Sequence, residues 1–306
     1  MPAVRGLHHI TAVTTGARRN LAFWRDGLGL RLVKRTVNFD DPSAYHLYYG
    51  DALGRPGSLV TFFAWEHVGV SRRGAGEVAE TQLAVPAGTL DWWAARLTAL
   101  GRAPEREERF GEPRLRFTDP DGLALALVEA AADRRSPWST EAVPPEVAVR
   151  GLHGVTLALA ELGPTAALLS DPLGYRSDID DEVRRLTAPE GSAAPVVDLV
   201  ATTAGPARWG AGGVHHVAFA VADQAAQEAV RDRLGEMGLA VTPPIDRDYF
   251  HAIYFRAPGG VLFEVATAAP GFTVDEAAER LGTTLRLPRR HEPRRRQLKA
   301  RLPPLD

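Results

Sequence analysis

GLHHITAV, residues 6–13, sets two adjacent histidines, His8 and His9, at the front of what reads as a β-strand. Neighbouring residues in a strand point to opposite faces, so the two rings cannot share one task. GVHHVAFAV, residues 213–221, writes nearly the same phrase far downstream, with His215 and His216. Two further self-matches support a repeat. GLHHITA (6–12) aligns with GLHGVTL (151–157) without a gap, and FTDPDGLALAL (117–127) aligns with FRAPGGVLFEV (255–265) on Phe117/Phe255, Pro120/Pro258 and Gly122/Gly260. Both members of the second match read as strand, Pro-Gly turn and strand.

Working outward, the same order recurs four times: a short apolar strand, a helical pattern, then strands parted by Gly and Pro turns. The helical patterns are ARRNLAFWRDGLGLRLV, TLDWWAARLTALG and DQAAQEAVRDRLGEMGL, and GRPG at 54–57 reads as a hairpin turn. Four β-α-β-β-β modules account for the 306 residues. The expected class is α+β, with helices on one face of mixed sheets and the other face curling into a cup. A Pro-rich, charged stretch near 131–149 reads as a linker. It divides an N-terminal two-module domain (1–135) from a C-terminal one (150–272), with a basic helical tail at 273–306.

Bulk properties narrow the function. Net charge is −2 with 24% charged residues, so no overall field recruits nucleic acid or an anionic membrane. There is no cysteine, which excludes disulfides, thiolate metal sites and a cysteine nucleophile. No apolar run of about 18 residues spans a bilayer and the N-terminus lacks the build of a signal peptide, so a cytoplasmic location is expected. The charge runs REER and RRRQLK read as solvated faces.

Glu264 stands in VLFEVA between Phe263 and Val265 and faces away from both. A carboxylate turned into an enclosed space needs a cation or a set of hydrogen bonds. Histidines on the opening strands would face the same cup, and two imidazoles with one carboxylate make the facial triad of non-haem Fe(II) oxygenases. The repeat supplies its own control. Ala126 takes the place of Glu264 in the second module, Gly154 that of His9 in the third, and Glu80 that of His216. One metal site is therefore expected, built from modules one and four. Alternation alone does not choose which histidine of each pair binds, and an irregular pleat at the strand start lets both rings reach the cup.

HHITAV, HHVAF and FRAPGGVLFEVAT, together with RLVKRTVNFDDPSAYHLYYGD, TFFAW, DRDYFHAIYF and the terminal LPPL, resemble the vicinal oxygen chelate superfamily. Within it the likeness is to bacterial ring-cleaving dioxygenases of the hydroquinone (para-diol) type and covers nearly the whole chain. The resemblance implies two half-open mixed-sheet barrels. It selects His9, His216 and Glu264 as ligands of Fe(II), with Mn(II) the alternative. It places His8 and His215 beside substrate or oxygen, and Thr11, Arg247 and Tyr254 in the pocket. His251 receives no role. The implied partners are a small aromatic diol and O2, and open sheet edges allow a homodimer. Two other readings stand beside this one: an isomerase on the same fold, disfavoured by Ala126 and Gly154, and a metal-independent module that sequesters a small aromatic.

Overall fold

The computed structural model of the chain describes residues 4–180 and 183–305. Its first module is β1 (Val4–Thr14), α1 (Ala17–Leu21) running on into a π-helical turn at Ala22–Gly27, β2 (Arg31–Val37), β3 (Tyr45–Gly50) and β4 (Leu59–Ala64). The second is β5 (Glu77–Val85), α2 (Leu90–Ala99), β6 (Glu105–Arg109), β7 (Glu112–Thr118) and β8 (Ala124–Glu129). The third is β9 (Gly151–Leu159), α3 (Gly163–Ser170), β10 (Arg176–Asp180), β11 (Val183–Thr187) and β12 (Val196–Ala201). The fourth is β13 (Val214–Val221), α4 (Gln224–Glu236), β14 (Ile245–Asp246), β15 (Phe250–Arg256) and β16 (Leu262–Pro270), after which α5 (Arg295–Arg301) closes the chain. The first helix is shorter than its apolar pattern suggests. Gly29 adopts φ +74°, which turns the chain, and RLV enters β2.

The modules combine crosswise into two curled sheets of eight strands each, the α+β half-barrels expected. One runs β14-β15-β16-β13-β1-β4-β3-β2 and joins modules four and one; the other runs β10-β11-β12-β9-β5-β8-β7-β6 and joins three and two. In both, the opening strands of the two modules pair antiparallel at the centre (β1 with β13, β5 with β9), and each pairs in parallel with its own module's last strand. The Pro-Gly turns recur with Gly122 at φ +89° and Gly260 at +91°, a conformation that only glycine adopts without strain.

Helices cover the outer faces by helical spacing: Leu90, Trp93 and Leu97 on α2, and Gln227, Val230 and Leu234 on α4, are buried. The buried Gln227 Nε2 donates to the carbonyls of His251 and Val265, both at 2.8 Å, and so staples α4 to β15 and β16. One continuous apolar cluster runs from Leu7 and Trp24 of one half to Trp93 and Leu152 of the other.

Two expectations change. The stretch near 131–149 packs into the core: Val143, Ala148 and Val149 are buried, and the carbonyl of Val147 accepts from Trp93 Nε1 at 2.9 Å. Its charges are used internally, Arg135 donating to the carbonyls of Gly57 and Leu152. The run REER is only half solvated, because strand alternation turns Glu107 toward the guanidinium of Arg114, at 2.9 Å. RRRQLK does present an exposed face, except for Arg295, half-buried and donating to the Leu285 carbonyl, and Leu298, which is buried with Leu287, Leu302 and Leu305.

Candidate metal centre

Three neighbouring strands assemble the site. Ala218 of β13 lies opposite His9 of β1 on one side and Glu264 of β16 on the other, and His216 lies opposite Thr11. His9, His216 and Glu264 thus project from one face of the sheet, and all three are buried. His9 Nε2 and His216 Nε2 stand 3.2 Å apart, and Glu264 Oε2 is 3.0 Å from the latter and 3.5 Å from the former. Ligand bonds of about 2.0–2.2 Å meeting near right angles place donor atoms roughly 3 Å apart, so these spacings suit a cation at the centre. Neither carboxylate oxygen of Glu264 has a hydrogen-bond partner, although the residue is fully buried. Burial pushes its carboxyl up, but the imidazoles of His9 and His216 outweigh that and hold it well below the carboxylate range. Among the described residues this is the one group of three such side chains able to hold a metal ion.

The paired histidines are explained by the strand register. Between Leu7/Phe219 and His9/Ala218, β1 carries one residue more than β13, and the extra residue is His8. Between Thr11/His216 and Ala12/Val214 the surplus is on β13, and it is His215. Each is a β-bulge, which frees its side chain from strict alternation. His8 Nδ1 comes to 2.9 Å from His9 Nδ1, and His215 Nδ1 to 2.9 Å from His216 Nδ1. A ligand imidazole offering Nε2 to a cation carries its hydrogen on Nδ1, so it donates to the first histidine of its pair. Burial, then the neighbouring imidazole, lower His8 and His215 to about 3 and keep both rings neutral as acceptors.

A cavity of about 410 Å³ opens beside the three groups, walled by His9, His215, His216 and Glu264 at one end and by Phe39, His46, Tyr48, Phe63 and Trp65 elsewhere. Arg247 and Tyr254 also line it. Tyr254 sits directly across the strand pair from Glu264, and Arg247 Nε donates to Tyr254 Oη at 3.2 Å. Burial first, then the Glu264 charge, push the Tyr254 phenol well above its ordinary range, so it keeps its proton. Arg247 also pairs with Asp40 at 3.1 Å, which ties the loop after β2 to this wall.

Of the residues expected from sequence, His9, His216, Glu264, His215, Arg247 and Tyr254 meet at the cavity. Thr11 and His8 do not line it: Thr11 Oγ1 bonds Thr61 Oγ1 at 2.8 Å, and His8 packs against Phe250. His251 does not line the cavity, and its backbone joins Thr267 and Gln227. The sequence does not mark the wall residues His46, Tyr48, Phe63 and Trp65 individually. Their signal was two-residue spacing within YHLYYG and TFFAW, which puts His46 with Tyr48 and Phe63 with Trp65.

The second sheet shows what the same framework does without the ligands. Gly154 lies opposite Gln82, and Gln82 opposite Ala126, the register of His9, Ala218 and Glu264. The bulges persist, now at Ala79 and His153. Glu80 takes the place of His216 and is claimed by Arg114 and Arg116, while the fully buried Asp198 pairs with Arg185 at 2.8 Å. Ion pairs fill this cup. A Cβ on Gly154 would meet the Val196 carbonyl oxygen at 2.3 Å, so the backbone closes the space that His9 occupies in the first sheet.

Comparison with known proteins agrees with this architecture. A protein of Bacillus subtilis (strain 168), provisionally named ring-cleaving dioxygenase MhqO, is 41% identical over 303 residues, 98% of this chain and 96% of its own. The chlorohydroquinone/hydroquinone 1,2-dioxygenase of Sphingobium indicum is 38% identical over 296 residues, covering 93% and 91%. A crystal structure from Bacillus subtilis, provisionally titled a dioxygenase, superposes with a TM-score of 0.96 at 40% identity over 100% of this chain and 99% of that one. Glyoxalase I from Zea mays shares the fold alone, with a TM-score of 0.63 at 16% identity over 86% of this chain and 92% of that one. The family model described as Glyoxalase/Bleomycin resistance protein/Dioxygenase superfamily matches residues 6–127 and 117–265, and the chain belongs to that superfamily, among its ring-cleaving oxygenase enzymes.

Proposed function

We propose that the protein is an Fe(II)-dependent dioxygenase, with Mn(II) the alternative ion, that opens the ring of hydroquinone-type diols to give a ring-opened acid. The observation that carries the reading is the convergence of two imidazole nitrogens and an ionised carboxylate within 3.0–3.5 Å at the end of an aromatic-walled cavity. The name of the Sphingobium relative supports a para-diol as substrate.

His9, His216 and Glu264 would hold the ion. When bound, it supplies a Lewis-acidic meeting point for a phenolate and O2 and a path for electrons between them. The chain's own groups do the rest. His215 accepts from His216 at Nδ1 and so carries its own hydrogen on Nε2, placed at the cavity wall to donate it to a substrate or product oxygen. Tyr254 keeps its hydrogen and donates it to an oxygen developing negative charge. Arg247 orients that phenol and contributes a fixed positive charge toward the carboxylate of the product. His8 and Thr11 act without lining the cavity, His8 by fixing His9 and Thr11 through Thr61. Phe63 and Trp65 present apolar faces to the ring and exclude water. A cytoplasmic location and a homodimer formed through open sheet edges belong to this proposal. No helix among the described residues is long and apolar enough to cross a membrane.

Oxygen consumption tests it. Anaerobically purified protein loaded with Fe(II) is given hydroquinone, methylhydroquinone, chlorohydroquinone or catechol, with His9→Ala and Glu264→Ala beside it. Uptake with the para-diols, a new ultraviolet product band and silence in both variants are expected. Turnover of catechol alone would reject the para-diol assignment, and no iron binding would reject the enzyme.

A further inference from the structure

The cavity wall contains few buried polar atoms that lack a partner. Asn38 Oδ1 accepts the backbone N–H groups of Asp40 and Asp41, Asp41 Oδ2 accepts from Trp65 Nε1 at 2.7 Å, and Asp40 is paired with Arg247 and Arg290. Among the described wall residues, two sets of buried atoms stay unsatisfied: both oxygens of Glu264, and Nδ1 of His46. The first belongs to the metal centre. The second has no use in any step above.

His46 is built to hold one orientation. It is 6% exposed, and its ring lies 4.0 Å from that of Tyr48 and 4.5 Å from that of Phe63, centroid to centroid. Its Nε2 is anchored to Thr61 Oγ1 at 2.9 Å, and Thr61 is anchored in turn to Thr11 at 2.8 Å. The sheet order puts β4 between β1 and β3, so His46 lies two strands from His9, on the side away from β13 and β16. The register sets His46 beside Phe63 and Phe63 beside Val13, four residues along β1 from His9, and the relay through Thr61 to Thr11, which lies opposite His216, carries its ring back toward the triad.

We infer that His46 is a specificity residue whose Nδ1 hydrogen-bonds the substrate hydroxyl that does not meet the metal. This rests on the dioxygenase reading. A para-diol carries its hydroxyls at opposite ends of the ring, and one bound at the triad sends the other toward β3. An ortho-diol brings both to the metal end and leaves Nδ1 unpaired, a cost that discriminates against it. A hydroxyl is also the group that suits either tautomer of His46, because it both donates and accepts.

The test is anaerobic binding of hydroquinone and of 4-methylphenol, which lacks the far hydroxyl, to Fe(II)-loaded wild type, His46→Phe and His46→Gln. Phe should weaken hydroquinone about tenfold, the worth of one hydrogen bond, and leave 4-methylphenol unchanged. Gln should recover much of the loss, with bound iron equal in all three. In turnover, Phe should lower kcat/KM for hydroquinone and not for catechol. Equal weakening of both ligands, or of neither, overturns the inference. Wild type that binds iron but no diol overturns the proposed function first and this assignment with it.

Discussion

At the scale of single residues, the first histidine of each pair acts as the acceptor that fixes the second. His8→Ala leaves His9 Nδ1–H buried without a partner, so the weakened orientation should cost 10–100-fold in metal affinity. His8→Asn, which restores an acceptor, should recover part of it. Competition against a chelator of known affinity measures both, and an unchanged affinity for His8→Ala would refute the role. This arrangement was only half visible in the sequence. Every residue of β1 from Gly6 to Thr14 is buried, because one face looks into the cup and the other lies under the core, so no polar-apolar alternation marks the faces. Choosing His9 over His8 therefore needed the family likeness, and the bulges that explain the choice are a property of pairing between strands far apart in sequence.

Among the elements, the turn at 119–123 joins β7 to β8 and carries Asp119, whose Oδ1 accepts from the backbone of Asp121 at 2.8 Å and of Leu123 at 2.9 Å. Burial raises its carboxyl to about 6. A carboxyl raised on folding contributes stability that is complete below its unfolded value near 3.8 and is lost as pH rises through about 6. Asp119→Asn should therefore stabilise the protein at pH 8, by up to about 3 kcal/mol, and the gain should vanish below pH 4. Thermal melts of both forms across that range decide it, and a gain that grows toward acid would refute the assignment. Element identity was legible for a physical reason: the same module recurs, so a motif clear in one copy locates its counterpart in another. The positions of Ala126, Gly154 and Glu80 relative to the triad follow from that repeat and hold in the observed register. The crosswise association of modules one and four followed from the placement of the ligands, but the antiparallel contact between β1 and β13 that makes it leaves no local mark. Nor was the fate of Glu80, because the arginines that claim it lie on β7 and look like ordinary strand charges.

Over the whole molecule, the basic tail turns out to brace the site. Leu287, Leu298, Leu302 and Leu305 anchor it in the core, while Arg290 and His291 both donate to the carbonyl of Phe39, His291 Nε2 at 2.8 Å. Phe39 and Asp40 line the cavity, and Tyr45 Oη at the start of β3 donates to the Pro303 carbonyl at 3.0 Å. Leu298→Ala should cost about 3 kcal/mol and, by loosening the loop at 38–44, raise KM more than it lowers kcat. Chemical unfolding and steady-state oxygen uptake check the two halves, and an unaltered KM would separate the tail from the site. Composition alone gave the tail its charge but not its leucine contacts, because four leucines scattered among arginines and prolines follow no single period.

The triad draws on strands far apart in sequence: His9 from β1, Glu264 from β16. A ribosome therefore releases the first ligand long before the third exists. The three donors can therefore meet only in molecules translated through β16.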